Sequence, residues 1–239
     1  MTMKSRYDAV SNRIAQAALS AGRSADSVTL VAVSKTQPAG NIRLLYQLGQ
    51  RDFGENYLQE ALEKQEALSD LDAIIWHFIG PIQSNKTRAL AEHFDWVHSV
   101  DRLRIAERLS AQRPASRPPL NICLQINISH EDSKSGAPPE EAEKLADAIS
   151  QLPGLRLRGL MAIPEASEDP QQQAAAFLEM KRLMETLQCR IPDLDTLSMG
   201  MSGDLEQAIK AGATHVRIGT ALFGSRHQPL NNGDQHEQP

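Results

Sequence analysis

Eight short apolar segments, separated by stretches of helical period, constrain the fold of this chain more than any other feature. Their β-branched and aliphatic residues are typical of parallel strands covered on both faces. The segments occupy residues 28–34, 51–56, 73–80, 95–100, 119–129, 155–163, 195–201 and 214–219. The alternation indicates a parallel sheet with helices outside it. Eight such units in 239 residues predict an α/β protein with a single (β/α)8 barrel, and an open doubly wound sheet is the alternative.

The composition predicts one domain in an aqueous compartment. We expect the barrel to span residues 1–226 and the polar, turn-rich residues 227–239 to form a disordered tail. The net charge of −5 gives no reason to expect nucleic acid or an anionic membrane as a partner. The first residues lack an apolar secretion signal, and no apolar run reaches the ~18–20 residues of a membrane-spanning helix. We therefore expect a cytoplasmic location, with Cys123 and Cys189 as buried thiols.

The first strand ends in a lysine, within the sequence L-V-A-V-S-K-T. Lys35 could simply end the strand and point into water, or it could aim an amine at a ligand. Functional groups of a barrel gather at the C-terminal ends of its strands. Burial at such a position lowers the pKa of a lysine and exposes an amine that can form a Schiff base.

The loops after the last two predicted strands are rich in small residues. M-G-M-S-G-D places Gly200, Ser202 and Gly203 at a strand-to-helix turn, and R-I-G-T-A-L-F-G places Gly219 and Thr220 after the eighth strand. Small residues let backbone N–H groups approach an anion, and a helix N-terminus adds partial positive charge. Either stretch alone could be a tight turn, but the two together predict a phosphate site, as is recurrent in this fold. An aldehyde that carries a phosphate would satisfy both this site and a strand-end lysine.

Further polar residues lie at or near the same strand ends. Arg217, inside the apolar segment T-H-V-R-I-G, could form a buried salt bridge or donate to a cofactor ring nitrogen, which pairs with Asp or Arg in pyridoxal phosphate proteins. His77 could line the pocket or be a core histidine, and Asn56 could contact a phenolic oxygen or cap a helix. The loop lysines Lys86 and Lys134 are expected to be solvated. Metal-binding spacings such as H-E-x-x-H and C-x-x-C are absent from the sequence.

Seven segments, in order, carry a resemblance to a known family. They are VAVSKTQP, FGENYLQE, WHFIGPIQSNK, INIS followed by SKSG, LRGLMAIP, LSMGMSGDLEQAI and HVRIGTALFG. Together, over about residues 28–225, they resemble the pyridoxal phosphate homeostasis protein family. The resemblance implies a barrel similar to the N-terminal domain of bacterial alanine racemase, with pyridoxal 5′-phosphate held as a Schiff base on Lys35 and its ring nitrogen at Arg217. The resemblance assigns the phosphate to the segment Ser198–Ser202, which includes Met199 and Met201, and to Gly219 and Thr220.

The resemblance also implies a function. Members of the family buffer and deliver pyridoxal 5′-phosphate and maintain vitamin B6 and amino-acid homeostasis, and no catalytic residue is assigned. Alanine racemase needs a second domain with a catalytic tyrosine, whereas this chain ends soon after its eighth predicted strand, so we expect little proton-transfer catalysis. The alternatives are an amino-acid racemase or decarboxylase, alone or with a partner, and a Schiff-base aldolase for a sugar phosphate. We expect a monomer that passes its cofactor to apo-enzymes.

Overall fold

The computed structural model describes residues 1–129, 135–164 and 170–224. Eight parallel strands follow one another around a closed barrel, and β1 pairs with β8 to complete it. Closure excludes the open sheet and confirms the predicted (β/α)8 architecture. The strands are β1 (Thr29–Val33), β2 (Asp52–Glu55), β3 (Ile75–Phe78), β4 (Trp96–Val100), β5 (Leu120–Gln125), β6 (Leu155–Met161), β7 (Thr196–Ser198) and β8 (His215–Ile218).

Helices alternate with these strands around the outside of the barrel. The predicted helix over residues 84–94 is a 3₁₀ turn, Ser84–Lys86, followed by a shorter α-helix. A four-residue helix after β8 was not predicted. The α-helices of the described ranges are α1 (Met3–Ser20), α2 (Ala39–Gln47), α3 (Leu58–Ala67), α4 (Thr87–His93), α5 (Leu103–Gln112), α6 (Ala142–Ser150), α7 (Pro170–Gln188), α8 (Leu205–Lys210) and α9 (Thr220–Phe223).

The apolar core lies between the barrel and its helices. All five residues of β4 are buried, as expected for a strand covered on both faces. Helix α1 begins after Thr2, whose side chain accepts the Ser5 N–H, and it buries Val10, Ile14 and Ala17 at helical spacing. Helix α1 packs against α8 and α9, so it covers the side of the barrel where β8 pairs with β1.

Three sequence-based expectations concern the periphery of the barrel. Residues 227–239 and Lys134 lie outside the described residues, and Lys86 is exposed at the end of its 3₁₀ turn. Cys123 is a buried thiol as predicted, but the prediction was wrong for Cys189, an exposed thiol just past the end of α7. Within the described ranges, the helices are too short or too polar to cross a membrane.

Candidate functional site

A cavity of about 310 Å³ opens at the rim formed by the C-terminal ends of the strands. The segments that line it follow β1, β2, β3, β6, β7 and β8, which is where a barrel of this class places functional groups. Of the ten binding residues predicted from the sequence, seven line this cavity, and their individual roles remain predictions. These seven are Lys35, Asn56, Met201, Ser202, Arg217, Gly219 and Thr220.

Lys35 stands on a short turn after β1 that helix α3 holds from outside the barrel. The next residue, Thr36, has a φ of 63°, a left-handed conformation that β-branched residues rarely adopt. Its backbone N–H donates to Glu60 on α3, and Lys64 on α3 donates to the Ser34 carbonyl at 2.7 Å. Both neighbours of Lys35 in the sequence are therefore fixed by α3, which sets the position of the lysine backbone.

A buried ion pair lies behind this turn. The Lys64 ammonium donates to Glu55 Oε1 at 2.7 Å and to Glu60 Oε1 at 2.6 Å, and the Ser34 hydroxyl also donates to Glu55 Oε1 at 2.6 Å. Burial raises the pKa of the fully buried Glu55 carboxyl, and the charge of Lys64 opposes that rise. Glu55, Lys64 and Glu60 form what we call the α3 network. Its three charged groups contact the Lys35 turn but do not line the cavity.

The loops after β7 and β8 present backbone donors to the cavity. The N–H groups of Ser202, Gly203 and Thr220 have no acceptor among the residues that the structure describes. A fourth N–H, that of Met201, donates to the Asp204 carboxylate. Backbone donors that converge on a cavity without protein acceptors are suited to an anion such as a phosphate.

Arg217 projects from β8 into the barrel and reaches the cavity. Its guanidinium donates to the Ser198 carbonyl at 2.7 Å, the Ser198 hydroxyl at 2.8 Å and the Ala162 carbonyl at 2.9 Å. These acceptors are neutral, and within the described part of the chain no carboxylate lies within salt-bridge distance of Arg217. Burial lowers the pKa of Arg217 to about 10, so the group remains cationic at neutral pH. These three hydrogen bonds leave two of its five N–H groups for a ligand.

Asn56 contributes an amide oxygen to the cavity wall. Its Oδ1 is buried without a hydrogen-bond partner among the described residues, which is costly unless a ligand or water supplies a donor. The backbone of Asn56 passes so close to Gly80 that a Cβ at residue 80 would lie 2.2 Å from the Asn56 carbonyl oxygen. Glycine at residue 80 therefore allows the loop after β3 to pack against Asn56.

Three predicted residues lie outside the cavity lining. Ser198 is fully buried behind Arg217, and Met199 is part of the apolar core. His77 is buried within the barrel, where its Nε2 lies 3.0 Å from Asp52 Oδ1 and its ring stacks on Trp96. Their predicted contacts with a cofactor remain untested.

Sequence reasoning missed part of the lining and the role of the α3 network that supports it. The missed lining residues that occur within recognised motifs, such as Gln37 in VAVSKTQP and Ile163 in LRGLMAIP, could have been found from those motifs. Glu55 and Glu60 of the α3 network lie in the recognised segment FGENYLQE, but Lys64 gave no local signal, because charged residues on a surface helix are usually solvated. Over the described ranges, no cluster of three His, Cys, Asp or Glu side chains could hold a metal ion.

Comparisons with known proteins agree with this geometry. The sequence profile of the alanine racemase N-terminal domain matches residues 6–227. A curated relative from Pseudomonas aeruginosa named "Pyridoxal phosphate homeostasis protein" is 63% identical over 217 residues, which are 91% of this chain and 93% of the relative. The chain belongs to the pyridoxal phosphate homeostasis protein family. A member of the same name from Escherichia coli is 53% identical over 219 residues, which are 91% of this chain and 94% of that protein.

Solved structures extend the comparison. PipY of Synechococcus elongatus, in a structure described as having PLP bound, is 42% identical, with a TM-score of 0.77 over 83% of this chain and 93% of PipY. Alanine racemase from Corynebacterium glutamicum is 17% identical, with a TM-score of 0.65 over 97% of this chain and 64% of the racemase. The second likeness concerns the fold alone. It shows that this family shares the barrel of alanine racemase, as the sequence predicted.

Proposed function

We propose that this chain binds pyridoxal 5′-phosphate in the rim cavity, and buffers and delivers it to maintain vitamin B6 and amino-acid homeostasis. The observation that carries the proposal is the meeting of three kinds of group in one cavity of about 310 Å³. The Lys35 amine is the site of Schiff-base attachment, the free N–H groups of Ser202, Gly203 and Thr220 receive the phosphate, and Arg217 contacts the ring nitrogen. The names of the curated relatives and the PLP-bound PipY structure support it.

The individual groups fit this ligand. Pyridoxal phosphate brings an aldehyde for attachment to an amine and a ring that can accept electrons. Arg217 can only donate hydrogen bonds, so it favours an unprotonated ring nitrogen and a weaker electron sink. Asn56 Oδ1 is buried without a donor in the described chain, and an amide oxygen can only accept a hydrogen bond. It therefore suits the phenolic oxygen of the ring only when that oxygen carries a proton that it can donate.

The lining also supports a carrier over a catalyst. No histidine, tyrosine or carboxylate occurs among the described residues that line the cavity. Lys35 and Arg217 are the ionisable side chains of the described lining, and in the proposed complex the Lys35 amine is engaged by the ligand. We therefore expect no significant turnover of amino acids. Racemisation or decarboxylation by the purified protein, abolished by Lys35→Ala, would favour the enzymatic alternative.

Attachment at Lys35 can be tested directly on purified protein. We expect wild-type protein to carry the visible absorbance band of bound pyridoxal phosphate, and borohydride reduction followed by peptide mapping to place the adduct on Lys35. Lys35→Ala should abolish both signals. Lys86→Ala is the matched control, because Lys86 is exposed and lies outside the cavity lining. An adduct on another lysine, or no adduct, would refute the proposed attachment.

Delivery needs a separate experiment. Loaded protein is mixed with an apo-enzyme that depends on pyridoxal phosphate, and reactivation is compared with an equal amount of free cofactor in the presence of a phosphatase that destroys free cofactor. Protected transfer supports delivery, whereas reactivation no better than with free cofactor argues for storage alone. We further expect the chain to be a monomer by light scattering and to fractionate with the cytoplasm.

A further inference from the structure

A continuous set of hydrogen bonds crosses the barrel interior from its floor to Arg217. Asp52, at the start of β2, lies 3.0 Å from His77 Nε2, and His77 Nδ1 lies 2.9 Å from His98 Nε2. His98 Nδ1 lies 2.8 Å from the Ser198 hydroxyl, which accepts from Arg217 Nη1 at 2.8 Å. We call these five residues the interior chain. Apart from Arg217, none of them lines the cavity.

The two ends of the interior chain fix the position of every proton in it. The Arg217 guanidinium can only donate and the Asp52 carboxylate can only accept, so with both rings neutral the Ser198 hydroxyl accepts from Arg217 and donates its own proton to His98 Nδ1. His98 must then carry its proton on Nε2 and donate it to His77 Nδ1. His77 in turn carries its proton on Nε2 and donates it to the Asp52 carboxylate. Every bond therefore points the same way, from the cation to the carboxylate.

The surroundings of His98 favour a neutral ring, and those of His77 restrict the orientation of its ring. Burial lowers the pKa of His98 well below its usual range, and nearby His77, His215 and Arg217 act in the same direction. Trp96 stacks on the His77 ring with centroids 5.5 Å apart and an interplanar angle of 13°, which restricts rotation of that ring. Asp52 is the partly exposed end of the chain, with 22% of its side chain accessible.

We infer that this interior chain, anchored at Asp52, positions the Arg217 guanidinium and thereby slows the loss of bound pyridoxal phosphate. The inference rests on the proposed function. Arg217 has neutral acceptors and no carboxylate within salt-bridge distance in the described structure, so its orientation depends on how firmly those acceptors are held. Ser198 supplies two of the three acceptor atoms, and its hydroxyl is oriented by His98. The negative charge of Asp204 stabilises the charged form of Arg217 at a distance, but Asp204 makes no hydrogen bond with it.

The proton positions can be tested without any ligand. In the ¹⁵N NMR spectrum of ligand-free full-length protein at neutral pH, we expect His77 and His98 to be neutral, each with its proton on Nε2. Their signals are assigned by comparison with His77→Gln and His98→Gln. An Nδ1 proton on either ring, or an imidazolium, would overturn the directed chain.

The effect on retention is tested by the rate of cofactor release from loaded protein. Asp52→Ala removes the acceptor of His77, and we expect release to be about tenfold faster, equivalent to ~1.4 kcal/mol. Ser198→Ala interrupts the chain next to Arg217 and should have an effect at least as large. Asp72→Ala, at an exposed aspartate with no contact to the chain, is the control and should release at the wild-type rate. All release rates are measured well below the melting temperature of each variant.

The outcomes separate this inference from the proposed function. Faster release from both Asp52→Ala and Ser198→Ala supports the inference, and a partial effect in Asp52→Asn, which keeps an acceptor oxygen, strengthens it. Unchanged release in Asp52→Ala overturns it, whether or not Ser198→Ala is affected, because the chain beyond Ser198 would then be irrelevant. A wild-type protein that binds no pyridoxal phosphate would refute the proposed function itself, and the histidine tautomers would still decide whether the directed chain exists.

Discussion

Substitution of Lys64 by methionine should destabilise the protein strongly, although the side chain does not touch the cavity. All three ammonium N–H groups are used, by Ser34 O at 2.7 Å, Glu55 Oε1 at 2.7 Å and Glu60 Oε1 at 2.6 Å. The Lys64 side chain is 6% exposed and that of Glu55 is 0% exposed. Methionine fills a similar volume but leaves Glu55 buried with the Ser34 hydroxyl as its one remaining described donor.

The size of the effect follows from this burial. Removing one partner of a buried ion pair typically costs about 3–5 kcal/mol, because the other charge stays buried without compensation. For a domain of this size, 1 kcal/mol corresponds to roughly 2–4 °C in Tm, so we expect Lys64→Met to melt roughly 6–20 °C below wild type. Urea unfolding followed by circular dichroism of cofactor-free protein measures the free-energy change, and its slope checks that the unfolded state is comparable.

Lys4→Met is the matched control. Lys4 also pairs with a carboxylate four residues away on a helix, but its side chain is 68% exposed and that of Asp8 is 49% exposed. Such pairs contribute about 0.3–0.5 kcal/mol. The double variant Glu55→Gln/Lys64→Met should be less destabilised than Lys64→Met alone, since the charge that then lacks its partner, Glu60, is partly exposed rather than fully buried. A Lys64→Met loss no larger than that of Lys4→Met would show that the buried pair is not ionic and would refute the reasoning.

The pH dependence of Lys64→Met gives a second check on the same pair. Burial raises the folded-state pKa of Glu55 above its unfolded value, so the folded chain holds this proton more tightly, and stability falls as pH rises through that window. Lys64 is the main group that opposes this rise, and its removal should raise the pKa of Glu55 further. The loss of unfolding free energy in Lys64→Met relative to wild type should therefore be smaller at pH 5 than at pH 8. An equal deficit at both pH values would contradict a charged Glu55.

Two further predictions concern a close contact and an acid-sensitive group. Gly80→Ala should lower the free energy of unfolding in urea by about 1–3 kcal/mol and weaken cofactor binding, because the added Cβ would lie 2.2 Å from the Asn56 carbonyl oxygen. The control Gly40→Ala, whose Cβ would meet no atom within 4 Å, should be neutral or slightly stabilising. Burial lowers the pKa of His215 to about 3, so the unfolded chain binds a proton there that the folded chain excludes, and stability should fall as pH drops below ~6.5. His215→Phe should make that fall shallower by up to ~1.4 kcal/mol per pH unit, and an unchanged slope would mean that His215 is not the excluded site.

The fold was predictable because each strand carries its own signal. Segments such as V-T-L-V-A-V-S are apolar throughout, and the observed β1, Thr29–Val33, lies within the predicted residues 28–34. The short helix α9, Thr220–Phe223, was missed because four residues contain no complete helical period. Cys189 was placed inside on the basis of apolar neighbours, but just past the end of α7 the direction of a side chain depends on where the helix stops.

Residues of the candidate site were predictable only where their position relative to the end of a strand decides whether they reach the rim of the barrel. Lys35 follows the first strand, and the C-terminal end of a barrel strand lies at the rim whatever the details of packing. Ser198 and His77 lie within or at the end of strands, where successive side chains alternate between the two faces and the sequence does not reveal their depth. Lys64 was missed because its partners Ser34 and Glu55 lie on other elements and meet it only in the folded barrel.

Two separate hydrogen-bond networks hold Lys35 and Arg217, the two cationic residues of the described cavity lining. The α3 network reaches the turn that carries Lys35 from outside the barrel, and the interior chain reaches Arg217 from within it. The two networks share no residue, so each end of the cavity is held independently. Within the described chain, their carboxylates and imidazoles lie outside the cavity lining, where they orient hydrogen-bond donors. The groups that fix Lys35 and Arg217 are therefore distinct from the residues that line the cavity.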